Sequence, residues 1–241
     1  MTTARASTPP DPPAYDRAGG RPDRSTARAG TKGVPRAHRE QQILDAALEE
    51  FGRRGHAAAS MAEIATRVGV TKPLLYTYFG SKDGLYAACV DHVGPHLLTA
   101  IEGAMAARGA ATSGAAVSEA PAPEPGKQGM PHAVLTALFR ALEGRRHAWF
   151  VLYDRSLRPG SGPWHAARRH REAIDALAAT GTAALLRAQG DDDALDADAL
   201  KHIWTGTVGA LIGWWISHPE LSAEDMSARC ARLLAAVRHG A

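Results

Sequence analysis

The sequence predicts an all-α fold in three stretches: a basic arm over 1–36, a compact three-helix unit over 37–84 and a larger helical body over 85–241. Three observations carry this expectation. Ala, Leu, Arg and Glu dominate the ordered stretches, and no run alternates Val, Ile and Thr with polar residues as a half-buried strand does. Glycines at 55, 69 and 80 punctuate apolar runs of helical period. The 241 residues, 45% hydrophobic and 22% charged, have the composition of an ordinary soluble chain with one large or two small cores.

The arm is rich in Pro, Gly, Ala and Arg and has almost nothing apolar to bury, so it is expected to be disordered. From Arg17 to Arg39 it carries seven basic residues and one acid, Asp23. It reads either as a solvated tail or as an arm that lies along a polyanion. A first helix is expected over 37–54, with Ile43, Leu44, Ala47, Leu48 and Phe51 on one face and Gly55 as its stop. A second starts at Ser60, where Ser60 and Glu63 have the spacing of a capping box, and buries Met61, Ile64, Ala65 and Val68. Gly69 supplies the turn. A short third helix begins near Thr71, with Pro73 in its first turn, and ends near Phe79. A fourth is capped by Ser81 and should kink or break at Gly94 and Pro95. Residues 107–130, all small or turn-forming types in the main, read as a long connection. Helices are then expected over 131–143, 146–157, 163–188, 194–217 and 222–238.

Several function classes recede on composition. Cys89 and Cys230 sit singly among apolar neighbours, with neither a disulfide framework nor zinc spacing. The N-terminus lacks the apolar stretch of a secretory signal. The longest uncharged run, 203–217, falls short of the ~20 residues a membrane span needs. A cytoplasmic protein with no membrane partner is expected. The net charge of +3 is unevenly spread: residues 1–87 hold 13 Lys and Arg against 9 Asp and Glu, which places the basic excess in the N-terminal third.

The segment from Ser60 to Lys82 reads as helix, glycine turn, short helix and capped helix, the layout of a helix-turn-helix. On the short helix only Leu75 and Phe79, with Leu74 at the margin, are needed inside. Thr71, Lys72, Tyr76, Thr77 and Tyr78 are left for an outer face that can bond phosphate oxygens and base edges. The run Gly69-Val70-Thr71-Lys72-Pro73-Leu74-Leu75-Tyr76-Thr77-Tyr78-Phe79-Gly80-Ser81-Lys82 resembles the signature of the tetracycline-repressor (TetR) family, roughly G-V-[ST]-x-x-x-L-Y-x-[HY]-F-x-[SN]-K. Ile43, Ala46, Ala47, Phe51 and Gly55 extend the resemblance into the first helix, and Ser60, Ile64, Ala65 and Gly69 into the second; it covers about 37–88.

The resemblance implies a dimeric transcriptional regulator, a repressor in the family's usual mode, that binds a pseudo-palindromic operator in double-stranded DNA. It places Thr71, Lys72, Pro73 and Thr77 at base edges, Tyr76, Tyr78 and Lys82 at phosphates, and Ser60 as a cap close to a phosphate. Pro73 stands where glycine is commoner and offers no N–H. The resemblance also implies a small-molecule effector in the C-terminal half. Phe139, Trp149, Phe150, Tyr153, Trp164 and Trp204 are the candidate walls, with Asp154, His165 and His202 as polar groups, and so many aromatics favour a fairly apolar ligand. The last two helices read as the dimer interface. One offers Leu200, Ile203, Trp204, Val208, Leu211, Ile212 and Trp215, with Gly206, Gly209 and Gly213 for close helix approach. The other offers Met226, Cys230, Leu233, Leu234 and Val237.

Two other readings compete. His92 and His96, with Asp91 beside them, have a spacing that can grip a metal, but Pro95 intervenes and no HExxH glutamate is present. Gly-rich phosphate loops and a G-x-S-x-G elbow are missing too, so neither an enzyme nor a cofactor is expected. A DNA-binding regulator without a small-molecule ligand fits the same head.

Overall fold

The computed structural model describes residues 35–114 and 129–239. Among these the chain forms nine helices and no strand: α1 (Arg36–Ala58), α2 (Met61–Val68), α3 (Lys72–Phe79), α4 (Lys82–Gly114), α5 (Met130–Leu142), α6 (Ala148–Leu152), α7 (Gly162–Arg187), α8 (Ala194–Ile216) and α9 (Ala223–His239). Most of the expected basic arm lies outside the described residues. Its last members do not: Arg36 opens α1, and Arg39 is buried within it.

α1 to α3 form a small head because their apolar positions converge. Ile43, Ala47, Leu48 and Phe51 of α1 pack on Met61, Ile64 and Ala65 of α2 and on Leu75, the one buried residue of α3. The regular part of α1 stops at Gly55, whose φ of 74° only glycine adopts without strain. The capping box at α2 is half as expected. Ser60 Oγ accepts from the Glu63 N–H at 3.4 Å. The reciprocal bond to the Ser60 N–H comes from Glu50 of α1 at 3.2 Å, while Glu63 faces solvent. Glu50 is fully buried and also holds Arg53 and Arg54, so a tertiary carboxylate replaces the local one.

The body differs from expectation in three places. α4 runs through Gly94 and Pro95 without a break. Proline removes one helical hydrogen bond, and the surrounding helices hold α4 in place. Gly94 serves packing: a Cβ there would meet the His170 ring of α7 at 2.4 Å. α4 also continues to Gly114, so the expected connection over 107–130 begins as helix; residues 115–128 lie outside the described residues. The helix expected over 146–157 shrinks to the five residues of α6. The chain leaves it at Tyr153 because Asp154 turns its carboxylate back onto the Ser156 N–H at 2.7 Å, a side-chain turn that competes with helix.

α4 packs against α5 and α7, α7 against α8, α5 against α9, and α6 against α1. Phe139 and Trp215 meet edge to face at 5.3 Å in this core. Arg146 closes the end of α8. Its guanidinium donates to the carbonyls of Trp215, His218, Pro219 and Leu221 and stacks 4.1 Å over the Trp215 ring. One side chain thereby ties the turn after α8 to the end of that helix. Cys89 and Cys230 are buried and free, and burial pushes both thiols up from their ordinary range.

Candidate functional site

α3 is held from below by Leu75, with Leu74, Tyr78 and Phe79 half-buried around it. That geometry leaves Thr71, Lys72, Pro73, Tyr76 and Thr77 in solvent. Lys72 Nζ stands 5.9 Å over the Tyr76 ring, and Arg36 of α1 lies 5.2 Å over the Tyr78 ring. The outer face of α3 therefore carries two cations, two phenols and two threonines. Thr77 bonds its own helix, donating to the Pro73 carbonyl at 3.0 Å, which leaves its methyl outward. Tyr78 is only half-exposed, and Arg36 beside it is a cation the sequence pattern did not assign to this face. Lys82, at the start of α4, donates to the Ala57 carbonyl at 3.2 Å, joining the end of α1 to the helix after α3.

Behind this face the end of α1 is fastened to the body at a joint around Asp154. Asp154, buried between α6 and α7, accepts from the His56 N–H at 2.5 Å and from the Ser156 N–H, while Ser156 Oγ accepts from the Ala57 N–H at 3.2 Å. Tyr86 of α4 donates to the Val151 carbonyl with Asp154 Oδ2 at 3.4 Å; burial first, then Asp154, raises its ionisation far above the ordinary phenol range. His56 stacks on Phe51, meets Tyr86 edge-on and stands 2.9 Å from Asp83. Gly52 completes the joint. α1 passes so close to the residue before α6 that a Cβ on Gly52 would lie 2.1 Å from the His147 carbonyl oxygen.

Residues 43–89 match the family profile "Bacterial regulatory proteins, tetR family". The helix-turn-helix segment of the chain is thus of the tetR type. Among curated relatives, the HTH-type transcriptional activator FasR of Mycolicibacterium smegmatis is 44% identical over 72 residues, 30% of this chain and 33% of that protein. An HTH-type transcriptional repressor of Mycobacterium tuberculosis is 46% identical over 55 residues, 23% of this chain and 29% of its own. The chain thus matches about a third of the length of these curated relatives. A solved TetR-like transcriptional regulator from Rhodococcus sp. RHA1 is similar throughout, with 26% identity, a TM-score of 0.53, and coverage of 87% of this chain and all of that one. FadR from Bacillus subtilis, solved in complex with stearoyl-CoA, shares the fold at 14% identity and a TM-score of 0.52, over 80% of this chain and 96% of its own.

Behind the tetR-family head, the body holds two neighbouring cavities. The first, about 90 Å³, lies between α4, α5, α7 and α8 and is walled by apolar side chains such as Ile101, Met105, Val134, Leu138 and Leu177. The second, about 700 Å³ and more open, lies between α1, α6, α7 and α8, with Gly52, Gly55, Tyr153, Asp154, Asp175 and Lys201 on its walls. Trp149 and Thr205 border both. Of the expected wall residues, Trp149, Phe150, Tyr153 and Trp204 border a cavity, as do the polar candidates Asp154 and His202. Phe139 does not: it is fully buried against Trp215. Trp164 lies apart, at the start of α7, under Arg168 and beside His165. No periodicity could separate these from cavity residues, because a ring that fills a core and a ring that borders a void look alike in sequence.

The expected dimer face also divides. Val208, Ile212, Trp215, Met226 and Cys230 are spent on the chain's own core, and Leu200 and Trp204 on the first cavity. A Cβ on Gly209 or Gly213 would stand 3.8 Å from Trp149 and 3.6 Å from Phe150 of α6, ordinary contact, so these two glycines look toward the chain's own α6. What remains outside is a stripe of Ile203, Thr207, Ala210 and Trp214 on α8 and of Leu233 and Val237 on α9, with Ile203 65% and Val237 74% exposed. His92, half of the pair weighed as metal ligands, stands 3.3 Å from Gln41 Nε2 and 3.4 Å from an Arg145 nitrogen. Burial, then Arg145, lowers its pKa from the ordinary histidine value. Among the described residues no helix is long and apolar enough to cross a membrane.

Proposed function

We propose that this protein is a ligand-responsive transcriptional regulator that binds a pseudo-palindromic DNA operator as a homodimer. The observation that carries the reading is α3, fixed by buried Leu75 and presenting Thr71, Lys72, Tyr76 and Thr77 to solvent at the second position of a helix-turn-helix. Lys72, Thr71, Pro73 and Thr77 meet base edges in the major groove. Tyr76, Tyr78, Arg36 and the spare donors of Lys82 meet phosphates, with Ser60 holding α2 against the backbone. Dimerisation is supported by the apolar stripe on α8 and α9, large side chains that water would otherwise cover.

An effector acts on such a head only by favouring one spacing of the two heads over another. The second cavity suits that role because α1 itself forms one wall, through Phe51, Gly52 and Gly55, and because Asp154 both borders the void and holds the end of α1. A ligand there touches the joint directly. Release from DNA on binding, and so repression in its absence, is the mode we favour. The head alone does not fix that sign, since its curated relatives include an activator and a repressor.

The test is selection of bound fragments from genomic DNA by the purified full chain, followed by footprinting. Two half-sites one helical turn or a multiple apart are expected, with light scattering giving twice the chain mass. Lys72→Ala should relax base preference by about 1–3 kcal/mol at its position. Failure to enrich any sequence over bulk DNA sinks the reading.

A further inference from the structure

The two cavities differ in what their walls leave unsatisfied. In the apolar one the two hydroxyls are spent inside helices, Thr182 on the Ala178 carbonyl and Thr205 on the Lys201 carbonyl, so nothing there asks for a polar ligand group. In the second cavity most charges are also committed. Asp154 is spent on two backbone N–H groups, Lys201 Nζ lies 2.6 Å from Asp198, and His202 Nδ1 lies 2.8 Å from the Asp198 carbonyl. Arg155 is exposed at the rim.

Two groups are left. The Tyr153 hydroxyl is buried without a close hydrogen-bond partner among the described residues, and the nearby Asp175 carboxylate, after burial, raises its ionisation. Asp175 of α7 is half-buried on the same wall and forms no ion pair among the described residues. Lys201 and His202 of α8 and Arg171 of α7 bring positive charge to its neighbourhood, and Glu172 adds a like charge. Burial still outweighs them, and the Asp175 carboxyl titrates above its ordinary value. A half-buried carboxylate on a cavity wall, with no ion-pair partner among the described residues, is a seat that favours a positive charge. Beside it Trp149 and Tyr153 stack at 4.6 Å and 24°, offering the π faces that attract an organic cation.

We propose that the effector is an amphiphilic organic cation, with its apolar chain or ring system between α4, α5, α7 and α8 and its protonated amine seated on Asp175, Tyr153 and the Trp149 ring. The proposal rests on the reading that the body binds an effector, and it adds the sign of the ligand's charge. An anionic head in the same seat would face the like charge of the carboxylate; a neutral one would leave that carboxylate as it is.

The full chain is titrated by calorimetry with three probes of one chain length, decylammonium, 1-decanol and decanoate, each below its aggregation limit. Decylammonium should bind most tightly and decanoate least. Asp175→Asn should weaken decylammonium about tenfold, the equivalent of one pKa unit of differential interaction, and leave 1-decanol nearly unchanged. Tyr153→Phe, which keeps the ring stack, should weaken decylammonium more than 1-decanol and serves if the first variant does not fold. Decanoate binding as tightly as decylammonium, or variants that bind decylammonium like the parent, overturn the charge assignment alone. If none of the probes binds a chain that still melts cooperatively, the cavity's role as an effector site falls, and the charge assignment with it.

Discussion

The head and the body of this protein bury apolar helix faces in opposite ways. The two helices of the helix-turn-helix are short, eight residues each, with closely specified ends: Ser60 and Glu50 at the start of α2, a left-handed Gly69 at its end, Gly80 after α3. The outward face of α3 is mostly polar. The body uses mostly longer helices, four of them begun by a serine or aspartate cap, and borders cavities while exposing large apolar side chains on α8 and α9. A surface that must match a fixed groove gains from rigidity. A surface that must respond to a small molecule needs space and an alternative packing. The two meet at Gly52, His56, Tyr86 and Asp154, where any response must cross.

The sharpest way to break this comparison is at Gly52. Gly52→Ala forces a Cβ into the His147 carbonyl, and helix backbone on both sides leaves little room to yield. A loss of about 3 kcal/mol is expected, read as a large fall in melting temperature; a near-normal melt would mean the joint is slack and head and body are not rigidly linked. Next in size is Asp154→Ala, which strands the His56 and Ser156 N–H groups. It should cost about 2 kcal/mol. Hydrogen exchange at residues 55–57 should rise while α3 stays protected, and equal protection throughout would show that the latch is not what fastens the head. Ser60→Ala removes the hydroxyl cap from α2 but keeps the Glu50 bond to its backbone, so about 0.5–1 kcal/mol is expected by chemical denaturation.

The smallest effect is in pH. His92 faces Asp45 and Gln41 from α1, Arg145 from the α5–α6 turn, and His96 on its own helix; its folded pKa is depressed, as burial also depresses that of His147. For a depressed histidine the unfolded chain binds the proton more readily, so stability is full above the unfolded value of ~6.5 and declines as pH falls through it. Melting temperature should therefore drop from pH 7.5 to 5.5, and His92→Gln should flatten part of that slope. A slope identical in the variant would show that His92 does not contribute to it.

The helices of the head were legible because each is specified locally, by apolar positions of helical period that stop at a glycine, with a serine cap at the start of α2. The candidate DNA-reading residues were legible for a related reason: an eight-residue helix with Leu75 inside has few positions left to face outward. The break expected at Pro95 did not occur, since packing on α5 and α7 outweighs one lost hydrogen bond. α6 ended early for the converse reason, because Asp154 had a better partner in α1 than helix could offer. Phe139 and Trp164 were grouped with the cavity residues because sequence records size and polarity, not distance.

The amino-acid order by itself determined the helical class, the helix-turn-helix and its outward face, because these follow from spacings within a few residues. Only the tertiary structure decided that Glu50 caps α2, that Gly52 and Gly94 are close-packing sites, that Gly209 and Gly213 look toward α6, and that Asp175 and Tyr153 share a cavity wall. Each of these depends on residues far apart in the chain. Their separation is set by how whole helices settle against one another, and no local pattern encodes that distance.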